Sequence, residues 1–178
     1  MTDREILQLA HDAGFCAAAI IPTAEIVFDP AFRSYCEQNL CGQYGANYSC
    51  PPDCGTPEAM SARLLQHPRA LVVQTKWQVD DWHDCAQIRH AKQSHNRAML
   101  SMIDRLRQAG HSGLMCGASC CTLCERCAIR DHKPCAYPDR RFSCLSAYCI
   151  YVKKLADACG MEYTCADGSL ALFGLYAF

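Results

Sequence analysis

The chain has 178 residues, 51% apolar and 20% charged, with a formal net charge of −1, which is enough apolar content for a sizeable core and argues against a disordered chain. The near-neutral balance, with a pI of about 6.6, excludes a broad field for drawing in nucleic acid or an anionic membrane. No stretch approaches the ~18 unbroken apolar residues of a membrane span.

Sixteen cysteines match the density of small secreted domains built on disulfides. The opening Met1-Thr2-Asp3-Arg4-Glu5 is acidic and lacks the apolar run of an export signal, so the expected compartment is the reducing cytoplasm. There, so many thiols point to metal binding.

In chain order, Thr2-x-x-Glu5 ahead of Ile6, Leu7 and Leu9 reads as a capping box opening a helix that Gly14 stops. Cys16 to Ile21, ended by Pro22, reads as a short buried strand. A helix is expected from Pro30 towards Asn39, and the turn formers between Leu40 and Gly55 predict a loop. Thr56-Pro57-Glu58 opens a further helix that ends before Pro68. Ala70 to Trp77, rich in β-branched and aromatic residues, predicts a strand.

Asp84 opens a long helix to about Gln108, with Ile88, Ala91, Met99, Met102, Ile103 and Leu106 at helical spacing and Gly110 as its stop. A glycine- and cysteine-rich segment occupies Gly113 to Cys135. A helix near Cys144 to Cys159 and a closing strand pair, Glu162–Thr164 and Leu170–Phe178, complete the expected order. Strands separated by helices predict a small α/β sandwich over residues 1–178, one domain with helices on a short mixed sheet and two cysteine-rich metal-binding loops at its edge.

The strongest motif is Cys121-x₂-Cys124-x₂-Cys127-x₇-Cys135. Thiols at i, i+3 and i+6 let a tight loop turn successive sulfurs towards one centre. This spacing matches ferredoxin-type [4Fe–4S] loops. The gap before Cys135 is longer than the ferredoxin pattern of three residues then Cys-Pro. Zinc is the alternative, because it accepts four thiolates at about 2.3 Å, although zinc ribbons use two separated pairs. Cys120, Cys124 and Cys127 also spell the Cys-x₃-Cys-x₂-Cys signature of radical S-adenosylmethionine enzymes, but too little chain follows for their barrel.

A second group, Cys36-x₄-Cys41-x₈-Cys50-Pro51-Pro52-Asp53-Cys54, offers four thiols for a second centre. Pro51 and Pro52 remove two amide donors beside Cys50, and Tyr44 and Tyr48 are positioned to shield a cluster from water. Cys16, Cys85, Cys116, Cys120, Cys159 and Cys165 read as small core hydrophobes. His83, His90, His95 and His111 are expected to face solvent. His132, between Cys127 and Cys135, reads first as an ordinary surface residue, with ligation in place of Cys135 or a hydrogen bond to a cluster sulfur as the alternatives. Arg126, Arg130, Lys133, Arg140 and Arg141 outnumber the acids around the strong motif, a pattern that reads equally as a solvated charged loop and as a docking face for an acidic electron carrier. No dinucleotide, P-loop or nucleophile-elbow motif occurs, and Asn47-Tyr48-Ser49 is a chance glycosylation triplet in a cytoplasmic protein.

Cys36, Cys41, Tyr44 and Cys50-Pro51-Pro52, followed by Cys121, Cys124, Cys127, Pro134-Cys135 and Pro138, resemble the DUF2284 family of predicted metal-binding proteins over nearly the whole chain. The resemblance implies metal or iron–sulfur binding without an established reaction. The family's Pro-Ser-Met-Glu-Ala-x-Gly-like stretch is replaced here by Phe142-Ser143-Cys144-Leu145-Ser146-Ala147-Tyr148-Cys149. Cys144 and Cys149 thereby become secondary ligand candidates, and Cys54 is not a position the family demands.

These observations together predict one or two [4Fe–4S] clusters exchanging electrons with a redox partner protein. Cys121, Cys124, Cys127 and Cys135 would hold the first, and Cys36, Cys41, Cys50 and Cys54 the second. The alternatives are a small redox enzyme with an open-site cluster and a zinc-stabilised interaction module.

Overall fold

Helix α1 (Asp3–Asp12) begins as its sequence dictates: Thr2 accepts from the Glu5 amide and Glu5 reaches back to the Thr2 amide. The computed structural model describes residues 1–178. Strand β1 (Ala17–Pro22), α2 (Arg33–Glu37, after a 3₁₀ turn at Pro30–Phe32) and α3 (Pro57–Leu65, capped by Thr56) follow. Then come β2 (Arg69–Trp77), the 24-residue α4 (Cys85–Gln108, capped by Asp84) and β3 (Leu114–Gly117). The two-residue β4 (Ser143–Cys144), α5 (Val152–Ala158) and β5 (Leu170–Ala177) complete the chain.

The five strands form one sheet in the order β1-β2-β5-β3-β4. All neighbours are antiparallel except β3 and β4, which run parallel. The sheet is therefore mixed, and helices cover both faces, as the α/β reading expects.

The period of two along a strand decides which face each residue serves. Leu71, Val73, Met115 and Tyr176 pack with α1 and α4 through Ile6, Leu9, Met99, Met102, Ile103 and Leu106. Their neighbours Ala70, Val72, Cys116, Leu175 and Ala177 turn to the opposite core, with Met60 and Leu64 of α3 and Leu155 and Ala156 of α5. Glycine lets α4 come close to the sheet. A Cβ on Gly174 would overlap Met99 Sδ and stand 2.9 Å from His95 Nε2.

Several sequence expectations are corrected. Strand β1 is an edge strand, mostly half-buried, because it pairs only with β2. The expected helix from Cys144 starts only at Val152. Cys144 pairs with Gly117 in the sheet, and Cys149 adopts a left-handed φ of 56° that interrupts any helix. Glu162–Thr164 is not a strand: the Glu162 carbonyl accepts from Gln74 Nε2 and its carboxylate pairs with Lys76, so the segment is a loop tied across the sheet. His95, expected at the surface, is fully buried, with Nδ1 at 2.8 Å from Thr75 Oγ1 and Nε2 unpartnered. No helix is long and apolar enough to cross a membrane.

Candidate metal centre

The parallel register of β3 and β4 places the chain leaving Gly117 beside Cys144, so both strands deliver cysteine-bearing segments to the same end of the sheet. Gly117 is required there because a Cβ would stand 2.6 Å from Asn96 Oδ1. Asn96, fully buried on α4, accepts from the Ala118 amide at 2.9 Å and donates to Ser119 Oγ at 2.8 Å. The start of the cysteine loop is thus fixed to the core.

The loop that carries Cys41, Cys50 and Cys54, following Cys36 on α2, is clasped onto this one by Asn47-Tyr48-Ser49. Asn47 Nδ2 donates to the Cys121 carbonyl at 3.1 Å, and the Cys121 amide donates to Ser49 Oγ at 2.9 Å. Ser49 in turn donates to Asn47 Oδ1 at 2.9 Å. The Tyr48 hydroxyl donates to the Lys133 carbonyl at 2.8 Å, and Arg130 donates to the Gly42 carbonyl at 3.2 Å. Asn47 and Ser49, which the sequence offered only as a chance glycosylation triplet, are 6% and 1% exposed.

Inside the clasp, Cys121, Cys124, Cys127 and Cys135 line one cavity with Asn47, Tyr48, Ser49, Leu123, Tyr137 and Arg141. All four cysteines are half-buried. The Tyr48 amide donates to Cys127 Sγ at 3.4 Å, the type of amide-to-sulfur contact that tunes a cluster's thiolates. Arg141 lies over the Tyr48 ring at 5.9 Å. Tyr48 therefore serves this cavity rather than the second group, where the sequence had placed it. Burial pushes the Cys121 thiol up. Such thiols hold their protons until a metal displaces them, so binding releases protons.

No three histidine, cysteine, aspartate or glutamate side chains converge closely enough for a single metal ion. His132 is exposed, in a left-handed turn with φ of 53°, and does not line the cavity. Of the cations, Arg126 pairs with Asp131 and Arg140 with Asp104, while Lys133 and Arg141 stand exposed.

In the second group, the neighbouring Cys120 thiol and then burial push the Cys50 thiol up, while Cys50 holds Cys120 down to about 7. Cys144 is pushed up to about 12, first by burial and then by the nearby Cys36, Cys120 and Cys41 thiols. The Cys54 sulfur stands 4.0 Å from Arg33 Nη1, and its thiol also acts on Cys36. Burial raises the Cys54 thiol, opposed by the Arg33 charge. Arg33 also donates to the Gly55 and Ala147 carbonyls at 3.1 and 2.9 Å. Burial disfavours its charge, but contact with Cys149 and Cys54 holds it protonated.

The remaining cysteines divide. Cys116 is fully buried and Cys165 is buried, as core residues should be. Cys16 and Cys85 are exposed, at the mouth of β1 and the first turn of α4, where no core covers them. Cys120 is half-buried, and its thiol acts on Cys50. The doubled cysteine at 120–121 was the available signal: adjacent residues in an irregular loop turn in different directions, so one pair can serve two groups.

No curated protein and no solved structure matches the chain. A family described as "Predicted metal-binding protein (DUF2284)" matches residues 19–176, a span that takes in both cysteine groups and the sheet that joins them. The chain belongs to the DUF2284 family of predicted metal-binding proteins.

Proposed function

We propose that the protein is an iron–sulfur protein that binds a [4Fe–4S] cluster through Cys121, Cys124, Cys127 and Cys135 and exchanges single electrons with a partner protein. The observation that carries this reading is the single cavity lined by these four thiols, with a backbone amide already donating to one of them. The donor set is all sulfur, which suits iron–sulfur chemistry and zinc alike. The i, i+3, i+6 spacing of Cys121, Cys124 and Cys127 is that of ferredoxin-type loops rather than the two separated pairs of zinc ribbons, which favours the iron–sulfur reading.

When bound, a [4Fe–4S] cluster supplies reversible one-electron chemistry whose potential follows hydrogen bonds to sulfur, local charge and exposure. The chain's residues set those terms. Tyr48 N–H donates to Cys127, Leu123 and Tyr137 limit water, and Arg141 and Lys133 add positive charge that favours the reduced state. Because the ligand cysteines are only half-buried, the centre lies near the surface within reach of a docked carrier. The exposed cations suit a carrier with an acidic face.

The test is purification without oxygen followed by iron, acid-labile sulfide and zinc analysis. A brown protein that bleaches with dithionite and loses its iron in Cys124→Ala is expected. A colourless protein with stoichiometric zinc would overturn the proposal in favour of a zinc-stabilised interaction module.

A further inference from the structure

We propose that the cavity between α4, β3 and the segment Asp139 to Arg141 binds a small organic monoacid. Its carboxylate would sit on Arg107 and Arg141, and its apolar body, the size of an aromatic ring, against Leu100, Ile103 and Leu114. The site does not depend on which metal the thiols hold; only its position beside a redox centre rests on the iron–sulfur reading.

The fold builds this cavity from three walls. Leu100, Ile103 and Arg107 stand at i, i+3 and i+7 on α4, so they share one face of the helix. Gly113, Leu114 and Met115 supply the second wall as the chain enters β3. The third, Asp139 to Arg141, is tied to α4 because Arg140 donates to both carboxylate oxygens of Asp104, at 2.9 and 2.7 Å. The space between them is about 150 Å³, a volume that in an apolar cavity holds one benzene ring. Ile103 and Met115 are buried, and Leu100 and Leu114 are half-buried. An apolar group seated on the two leucines would take their remaining surface out of water.

The charge of the lining selects the ligand. Its charged side chains are Arg107, Arg140, Arg141 and Asp139. Arg140 is neutralised by Asp104, whereas Arg107 and Arg141 form no ion pair. Two guanidiniums against the Asp139 carboxylate leave one positive charge to be met. A monocarboxylate meets it, and the planar fork of a guanidinium matches the two oxygens of a carboxylate. A phosphate monoester, close to a dianion at neutral pH, would overfill the charge. Arg107 also reaches the Tyr176 phenol, opposing the burial that raises it, and the Tyr176 hydroxyl donates to the His111 carbonyl at 2.8 Å. That neutral partner positions the Arg107 guanidinium without offsetting its charge. Arg141 lines the thiol cavity of Cys121, Cys124, Cys127 and Cys135 as well, and lies over the Tyr48 ring. One side chain thus borders both cavities, and an acid held on it is next to the proposed cluster.

The experiment is isothermal titration calorimetry of the full chain with benzoate, with benzamide and inorganic phosphate as comparisons. Benzoate is expected to bind, and uncharged benzamide and ring-less phosphate to bind at least about tenfold more weakly. Arg107→Gln and Arg141→Gln should each weaken benzoate by about tenfold or more, the loss expected for a hydrogen bond to a charged group. Circular dichroism should be unchanged in both, since Arg141 is exposed and Arg107 only half-buried. Leu100→Trp fills the space and should abolish binding. No benzoate binding, equal binding of benzamide, tighter binding of phosphate, or unchanged affinity in both arginine variants would overturn the site. In the iron-loaded protein benzoate should also lower the midpoint potential of the first centre, because a carboxylate offsets the Arg141 charge that favours the reduced state. An unmoved potential with binding intact would overturn the placement of the acid beside the centre. Absence of iron would overturn the cluster, and the calorimetry would still decide the acid site.

Discussion

Asn96 ties the first cysteine loop to the core, and its replacement by alanine is the most informative single perturbation of the scaffold. The side chain is fully buried and makes two hydrogen bonds, from the Ala118 amide at 2.9 Å and to Ser119 Oγ at 2.8 Å. Asn96→Ala leaves the Ala118 amide without an acceptor, a cost of about 1–3 kcal/mol. It also leaves a small void, while the half-buried Ser119 hydroxyl can turn to water. The sum is about 3 kcal/mol, which for a chain of this size lowers the melting temperature by roughly 9 °C. Ser119→Ala removes only the second bond and should cost about 1 kcal/mol, with a coupling of about 1 kcal/mol between the two sites in a double-mutant cycle. Denaturant unfolding with an unchanged m-value supplies the energies. Iron content measured in parallel should fall in Asn96→Ala before the fold is lost, because the loop start is released. A cost below about 0.5 kcal/mol, within the range of ordinary surface substitutions, would refute the claim that Asn96 anchors the loop.

Gly174→Ala should destabilise the protein by about 2–3 kcal/mol, seen in thermal melts, because the added methyl overlaps Met99 and crowds His95 in a packed core. Burial lowers the pKa of His95 from 6.5 to about 4, so below about 6.5 the unfolded chain binds the extra proton. Stability from His95 is complete above that pH and should fall by about 3 kcal/mol as the pH drops through 4; His95→Gln should flatten this slope in pH-dependent denaturation, and an unaltered slope would count against it. Ser49→Ala removes the acceptor of the Cys121 amide, and should cost about 1–2 kcal/mol while speeding bleaching of the first centre in air. Tyr48→Phe keeps the backbone amide that reaches Cys127, so it should cost under about 1 kcal/mol and leave the iron content unchanged.

Local physics was legible in the chain itself. The Thr2–Glu5 box, the Thr56 and Asp84 caps, the helical stripe from Ala91 to Leu106 and the β-branched, aromatic run Ala70–Trp77 all form as their sequence implies, because each depends on residues a few positions apart. The spacing of Cys121, Cys124 and Cys127 belongs to the same class, and these cysteines line one cavity with Cys135. Only the tertiary structure decided which distant groups meet. The β3–β4 register lays Cys144 beside Gly117, where a helix start was expected. The Asn47–Ser49 clasp joins loops more than 70 residues apart, Arg33 is set beside Cys54, and Gly174 lets α4 bury His95 against the sheet. A hydrogen bond or thiol contact across such separations has no periodic signature, because its partners are set by sheet register and loop docking rather than by neighbouring residues.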